Sequence, residues 1–143
     1  DQLASQLFEQ QQKVVSLTAY KVLSIELAAG LGHTFYDNET DYETVYFDQE
    51  IQHDFASWVS GDSMEPLYPN GSVALMKQTG FDYDGAVYAL IWNGKTYIKK
   101  VYREAEGLRL ESINPDYDDL FAPYEDEPKI VGIVVGHFLP LEV

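Results

Sequence analysis

A chain of 143 residues with 45% hydrophobic and 14% aromatic side chains can bury one core, and it is too apolar to be a disordered acidic tail. Its net charge of −15 excludes direct binding to nucleic acid, where affinity rests on neutralising phosphates, and the lack of cysteine excludes disulfides and thiolate metal sites. No apolar run approaches the roughly 18 residues that span a bilayer, and no basic-then-apolar leader opens the chain, so a soluble cytoplasmic protein without membrane contacts is expected.

Residues 1–16 carry Leu3, Leu7 and Val14 at helical spacing among Gln, Glu and Lys, with no Gly or Pro. That pattern predicts a short amphipathic helix or helical linker. Residues 1–20 are read as a connector and 21–143 as one globular domain. The chain opens on Asp1, and its methionines are Met64 and Met76, so a preceding module is expected. Any contact with DNA would come from that module.

From residue 21 the pattern changes to short β-rich runs at 21–27, 44–48, 54–60, 71–77, 85–92, 95–103, 108–113 and 129–139. Turn chemistry separates them, at Pro69-Asn70-Gly71, Tyr83-Asp84-Gly85, Asn93-Gly94 and Asn114-Pro115-Asp116. Asn93-Gly94 is the preferred pair for a two-residue type I′ turn and predicts a hairpin over 85–103. The fold class is therefore mainly β, a compact domain of short twisted sheets or a partial barrel with a short N-terminal helix. The run at 129–139 holds more Ile, Val and Phe than one sheet face buries, which makes it the candidate surface for a homodimer. Acidic clusters at 37–43, 116–119 and 125–127 fall in predicted loops as solvated charge, without the spacing of an EF-hand.

The segment Ser60-Gly61-Asp62-Ser63-Met64-Glu65-Pro66 is the first with chemical interest, because a serine on a turn is exposed to a substrate. A serine hydroxyl needs a base before it attacks a carbonyl. Downstream, the hairpin delivers Lys99 and Lys100 on a strand, Thr96-Tyr97-Ile98-Lys99-Lys100-Val101-Tyr102, that otherwise reads as buried. Burial lowers a lysine pKa by up to about 3–5 units and makes the neutral amine a usable base. Across the Asn-Gly turn Lys99 faces Tyr88 and Lys100 faces Val87, so alternation does not separate them.

Ser-Gly-Asp-Ser-Met-Glu-Pro, Asn70-Gly71 opening an apolar strand, the Gly-Lys-Thr-Tyr-Ile-Lys-Lys-Val strand, Asn114-Pro115 and the closing Ile130-Val131-Gly132-Ile133-Val134-Val135-Gly136 run together resemble the LexA/UmuD/phage CI-repressor peptidase family, S24-like, over roughly residues 22–138. The resemblance implies a self-cleaving serine endopeptidase domain with Ser63 as nucleophile and Lys99 as general base, and no metal or other cofactor. It implies oxyanion donors at the backbone N–H groups of Asp62 and Ser63. The implied substrate is the chain's own linker, cut between Ala29 and Gly30 within Glu26-Leu27-Ala28-Ala29-Gly30-Leu31-Gly32. Implied partners are a second copy of the chain, DNA through a missing N-terminal domain, and a RecA–DNA filament that favours cleavage in the DNA-damage (SOS) response, in a bacterial or prophage setting.

Other serine chemistries fit less well. Type I signal peptidases share a Ser-Met-x-Pro box and a lysine base but are membrane-anchored. Lipases that start from Gly-Asp-Ser need a late Asp-x-x-His, and Val134 stands where that Asp would precede His137. His33, His53 and His137 carry no triad motif and lack zinc-ligand spacing. Two further readings stay open: a non-cleaving dimerisation domain that binds an antirepressor, and a UmuD-like accessory factor for a damage-bypass polymerase.

Overall fold

The turn at Asn93-Gly94 sets the centre of the fold. Both residues have positive φ, 51° and 73°, as a type I′ turn demands, and Asn and Gly tolerate that region best. The strands it joins pair from Trp92↔Lys95 through Tyr88↔Lys99 to Val87↔Lys100, the register expected from the sequence.

The computed structural model describes residues 16–31 and 42–142. In chain order they form β1 (Thr18–Val22), α1 (Ile25–Leu31), β2 (Glu43–Phe47), β3 (Phe55–Trp58), β4 (Val73–Gln78), β5 (Val87–Trp92), β6 (Lys95–Arg103), β7 (Gly107–Glu111), β8 (Leu120–Pro123), a 3-10 turn (Tyr124–Asp126) and β9 (Lys129–Phe138). The strands make one open nine-stranded sheet in the order β2-β1-β3-β4-β9-β5-β6-β7-β8. All neighbours run antiparallel except β1 and β3, which are parallel with Val22 opposite Ala56.

Both faces of the middle strands are covered. Along β4, Val73 and Leu75 enter one apolar cluster with Tyr20 and Phe138, while Ala74 and Met76 enter another with Phe55, Met64 and Ile98. The period of two explains why neighbouring residues serve opposite faces. A third cluster, with Tyr88, Leu90, Val101 and Leu110, lies under β5–β7.

Three expectations are revised. The run at 21–27 was expected to be a strand, but β1 ends at Val22 and α1 takes over at Ile25. Ser24 explains the switch: its Oγ accepts from the Leu27 N–H at 3.0 Å, an N-cap bond, ahead of the helix-forming Glu26-Leu27-Ala28-Ala29. Buried Ile25 and Ala28 then fix the helix on the core. The β9 strand lies between β4 and β5 with both backbone edges paired, so a second copy would meet it through a face, on which Val135 is exposed. Strand β8, which ends in Pro123, was not expected at all; it is an edge, where a proline is tolerated. The helical linker expected at 1–16 falls almost wholly outside the described residues, and β1 begins at Thr18, inside the stretch assigned to a connector.

Candidate active site

Strand β3 runs directly into the turn that carries Ser63. Gly61 there has φ +83°, a left-handed conformation that glycine adopts without strain. Its N–H donates to Asn70 Oδ1 at 2.7 Å, and Val59 and Gly71 are tied by a 2.8 Å backbone bond. Met64 is buried in the core and its carbonyl accepts from Tyr68 N–H at 2.9 Å. The turn is thus anchored on both sides, by Val59 and by Met64, with half-buried Ser63 held between them.

Strand β6 brings Lys99 to the same place. Its Nζ lies 2.6 Å from Ser63 Oγ, a direct hydrogen bond between residues far apart in sequence. Lys99 is 8% exposed, and burial lowers its pKa from the ordinary 10.5. Among the described residues no carboxylate pairs with it to oppose that shift. Lys100 has the opposite surroundings. It is opposite Glu111 of β7, its Nζ lies 3.2 Å from Glu111 Oε1, and that contact raises its pKa. The structure therefore joins Ser63 to Lys99 and turns Lys100 toward an ion pair.

Ser63 and Lys99 open into a cleft of about 380 Å³ whose walls include Ile25, Met64, Ile98, Tyr117 and Leu120. Ser60, Thr96, Ser112 and Asp118 also line it, and an apolar cleft with a few convergent polar groups is the usual form of a small binding site. The N–H groups of Asp62 and Ser63 donate to no acceptor among the described residues. Ala29 and Gly30 are elsewhere: both are in α1, and Ala29 lines a separate hollow with Gln78, Gly80 and Lys129. Among the described side chains of the helix, Ile25 alone lines the cleft.

Neither described histidine, His53 or His137, lines the cleft. His53 Nδ1 is bonded to the Ile51 carbonyl at 2.8 Å, His137 packs edge-on against Tyr68, and His33 lies outside the described residues. Sequence reasoning missed Tyr117 and Leu120 as walls of the cleft, because the acidic Asp116–Asp119 stretch around them reads as solvated loop.

The family model described as Peptidase S24-like matches residues 21–135. Among curated relatives, the chain is 42% identical to the repressor protein CI of Enterobacteria phage phi80 over 77 residues, 52% of this chain and 32% of that protein. It is 33% identical to the LexA repressor of Citrifermentans bemidjiense over 86 residues, 59% of this chain and 43% of that one. It is 30% identical to the LexA repressor of Lacticaseibacillus casei over 118 residues, 80% of this chain and 55% of that one. The chain thus spans between about a third and just over half the length of these relatives.

Proposed function

The chain belongs to the peptidase S24-like family, and from that membership and the dyad geometry we propose that it is the self-cleaving, dimerising domain of a LexA-like or CI-like repressor. The observation that carries the proposal is the 2.6 Å contact between Ser63 Oγ and Lys99 Nζ, two residues that line one cleft. Neutral Lys99 takes the Ser63 proton as Oγ attacks the Ala29 carbonyl carbon. The Asp62 and Ser63 N–H groups receive the oxyanion. Lys99 then gives its proton to the departing Gly30 amine, which leaves an acyl-Ser63 ester. Water, deprotonated by Lys99, hydrolyses that ester and restores the serine.

The parallel pairing of β1 and β3 offers a route for the substrate. Val22 faces Ala56, and Leu23 N–H donates to the Ala56 carbonyl at 2.9 Å. Strand β3 ends at Trp58 and the chain continues into the turn that carries Ser63, while β1 ends at Val22 ahead of the 23–30 segment. A 23–30 segment that prolonged β1 in the direction of β3 would head toward that turn. Residues 25–31 are helical in this structure, and cleavage requires that helix to unwind first. Enzyme and substrate on one chain supply a high effective concentration once it does. Cleavage would separate this domain from a DNA-binding segment, and an acidic domain of net charge −15 has no use for DNA by itself.

The test is a gel assay of the purified chain at alkaline pH. Ser63→Ala and Lys99→Ala should each abolish cleavage while circular dichroism stays unchanged, because members of one catalytic unit do not contribute additively. Lys100→Ala should keep most of the activity. Cleavage by folded Ser63→Ala, or loss with Lys100→Ala but not Lys99→Ala, would contradict the proposal.

A further inference from the structure

The loop after β7 crosses back over the turn that carries Ser63, and it is tied there by polar contacts. Asn114 N–H donates to the Ser63 carbonyl at 2.9 Å, and its side-chain amide donates to the Asp62 carbonyl at 3.1 Å. Asn114 Oδ1 in turn accepts from Asp116 N–H at 3.0 Å, which shapes the loop itself. The loop brings Tyr117 to the rim of the cleft. There its hydroxyl donates a short hydrogen bond to the Asp62 carboxylate, and its ring lies 5.9 Å from Lys99 Nζ.

Tyr117 is 46% exposed, so it is not held in place to complete the core. What singles it out is the residue that it holds. Asp62 adjoins the nucleophile, and in the proposed reaction its N–H helps to receive the oxyanion. A loose Asp62 carboxylate beside that point would oppose the charge that develops there.

We propose that Tyr117 is a positioning residue for this site, its hydroxyl latching the Asp62 side chain so that the Asp62–Ser63 turn keeps its N–H groups fixed and the carboxylate stays engaged. The inference rests on the Ser63–Lys99 reading and adds a third side chain to it. The latch requires a protonated phenol. The hydrogen bond to Asp62 is the main cause that raises the Tyr117 pKa, followed by the charge of Asp62, then burial and the charges of Asp116 and Glu65. The Lys99 amine is lowered by burial. Asp118 also lines the cleft, and Lys99 is the cation that faces the ring. The two shifts run in opposite directions: burial favours the neutral Lys99 amine, and the bond to Asp62 favours the protonated Tyr117 phenol.

The experiment uses the full chain and Tyr117→Phe, which deletes the hydroxyl and keeps the ring. Two rates are followed from pH 6 to 11: first-order self-cleavage, and labelling of Ser63 by a fluorophosphonate. In the labelling step Ser63 Oγ bonds to phosphorus, fluoride leaves and Lys99 takes the proton, so no movement of α1 is needed. Both plateaus should fall about tenfold, less than the loss from removing an oxyanion donor outright. The pH midpoint set by Lys99 and the melting temperature should stay where they are. Asp62→Ala removes the latch's partner together with the charge that the latch restrains, so it should lose no more than Tyr117→Phe, and the double variant should be no slower than Asp62→Ala alone, since one latch cannot be lost twice. A Tyr117→Phe plateau equal to that of the unaltered chain, a loss that appears as a shifted midpoint, or a double variant that multiplies the two losses would each overturn the latch. An unaltered chain that neither cleaves nor labels overturns the dyad reading and the latch with it.

Discussion

Lys99 and Lys100 are neighbours on β6, yet burial lowers one amine and Glu111 raises the other. Only a lysine of the first kind can be a base near neutral pH. The direction of its pKa also makes a stability prediction. The folded-state pKa of Lys99 lies below its ordinary 10.5, so the stability linked to it is complete above that ordinary value and is lost as pH falls through the folded pKa. At pH 7, below that ordinary value, Lys99 therefore weakens the fold, and an apolar side chain of similar length in its place would not. Lys99→Met should raise the melting temperature by a few degrees at pH 7 and by clearly less at pH 10.5. A gain that grows with pH would contradict the burial argument. The sequence made a lysine base plausible through a cation in an apolar strand, but strand alternation could not choose between the two lysines, and only the family resemblance pointed to Lys99. The choice depends on Glu111, and the pairing of β6 with β7 that brings it to Lys100 runs through the turn between those strands, which has no turn signature as strong as Asn-Gly.

Among the elements, the hairpin β5–β6 was legible to the residue because Asn93-Gly94 dictates both turn type and register. Helix α1 was not, although Ser24 before Ile25-Glu26-Leu27-Ala28-Ala29 is a helix start signal; Val22, Leu23 and Ile25 have the β-rich look of a strand. Strand β8 was missed because only four residues, closed by a proline, follow an acidic stretch. The helix bears on the mechanism, since seven residues are too few to be stable without packing. Ser24→Ala removes the N-cap bond and should weaken the helix by about 1 kcal/mol. If unwinding precedes cleavage, that variant should cleave about fivefold faster, since its unwound fraction rises by that factor. Gly30→Asp should do the reverse, slowing the reaction by excluding the scissile bond from the cleft while the pH midpoint stays unchanged. A Ser24→Ala chain that is slower than the parent would place the helix on the productive side of the reaction.

At the scale of the molecule, the mainly β class was legible from the frequency of turns, while the single continuous sheet was not, because strand order depends on contacts far apart in sequence. The placement of β9 is the clearest case: its edges are taken by β4 and β5, while Val135 keeps its side chain exposed on a sheet face. Other exposed apolar side chains are Leu120 and Phe121 on edge strand β8, and Leu139 and Leu141 after β9. Those are the surfaces on which the proposed homodimer should form, since edges and exposed apolar groups are what association covers. Sedimentation at micromolar concentration should give a dimer, and a monomer throughout would count against a repressor that reads paired half-sites. The central claim, that Ser63 and Lys99 cut this chain at one bond, is tested most directly by intact-mass spectrometry of the purified chain incubated between pH 6 and 11. The account predicts two products, residues 1–29 and 30–143, formed at a rate that climbs with pH and levels off, and absent with Ser63→Ala. Products from any other bond, or a rate that is flat or falls above neutrality, would contradict it.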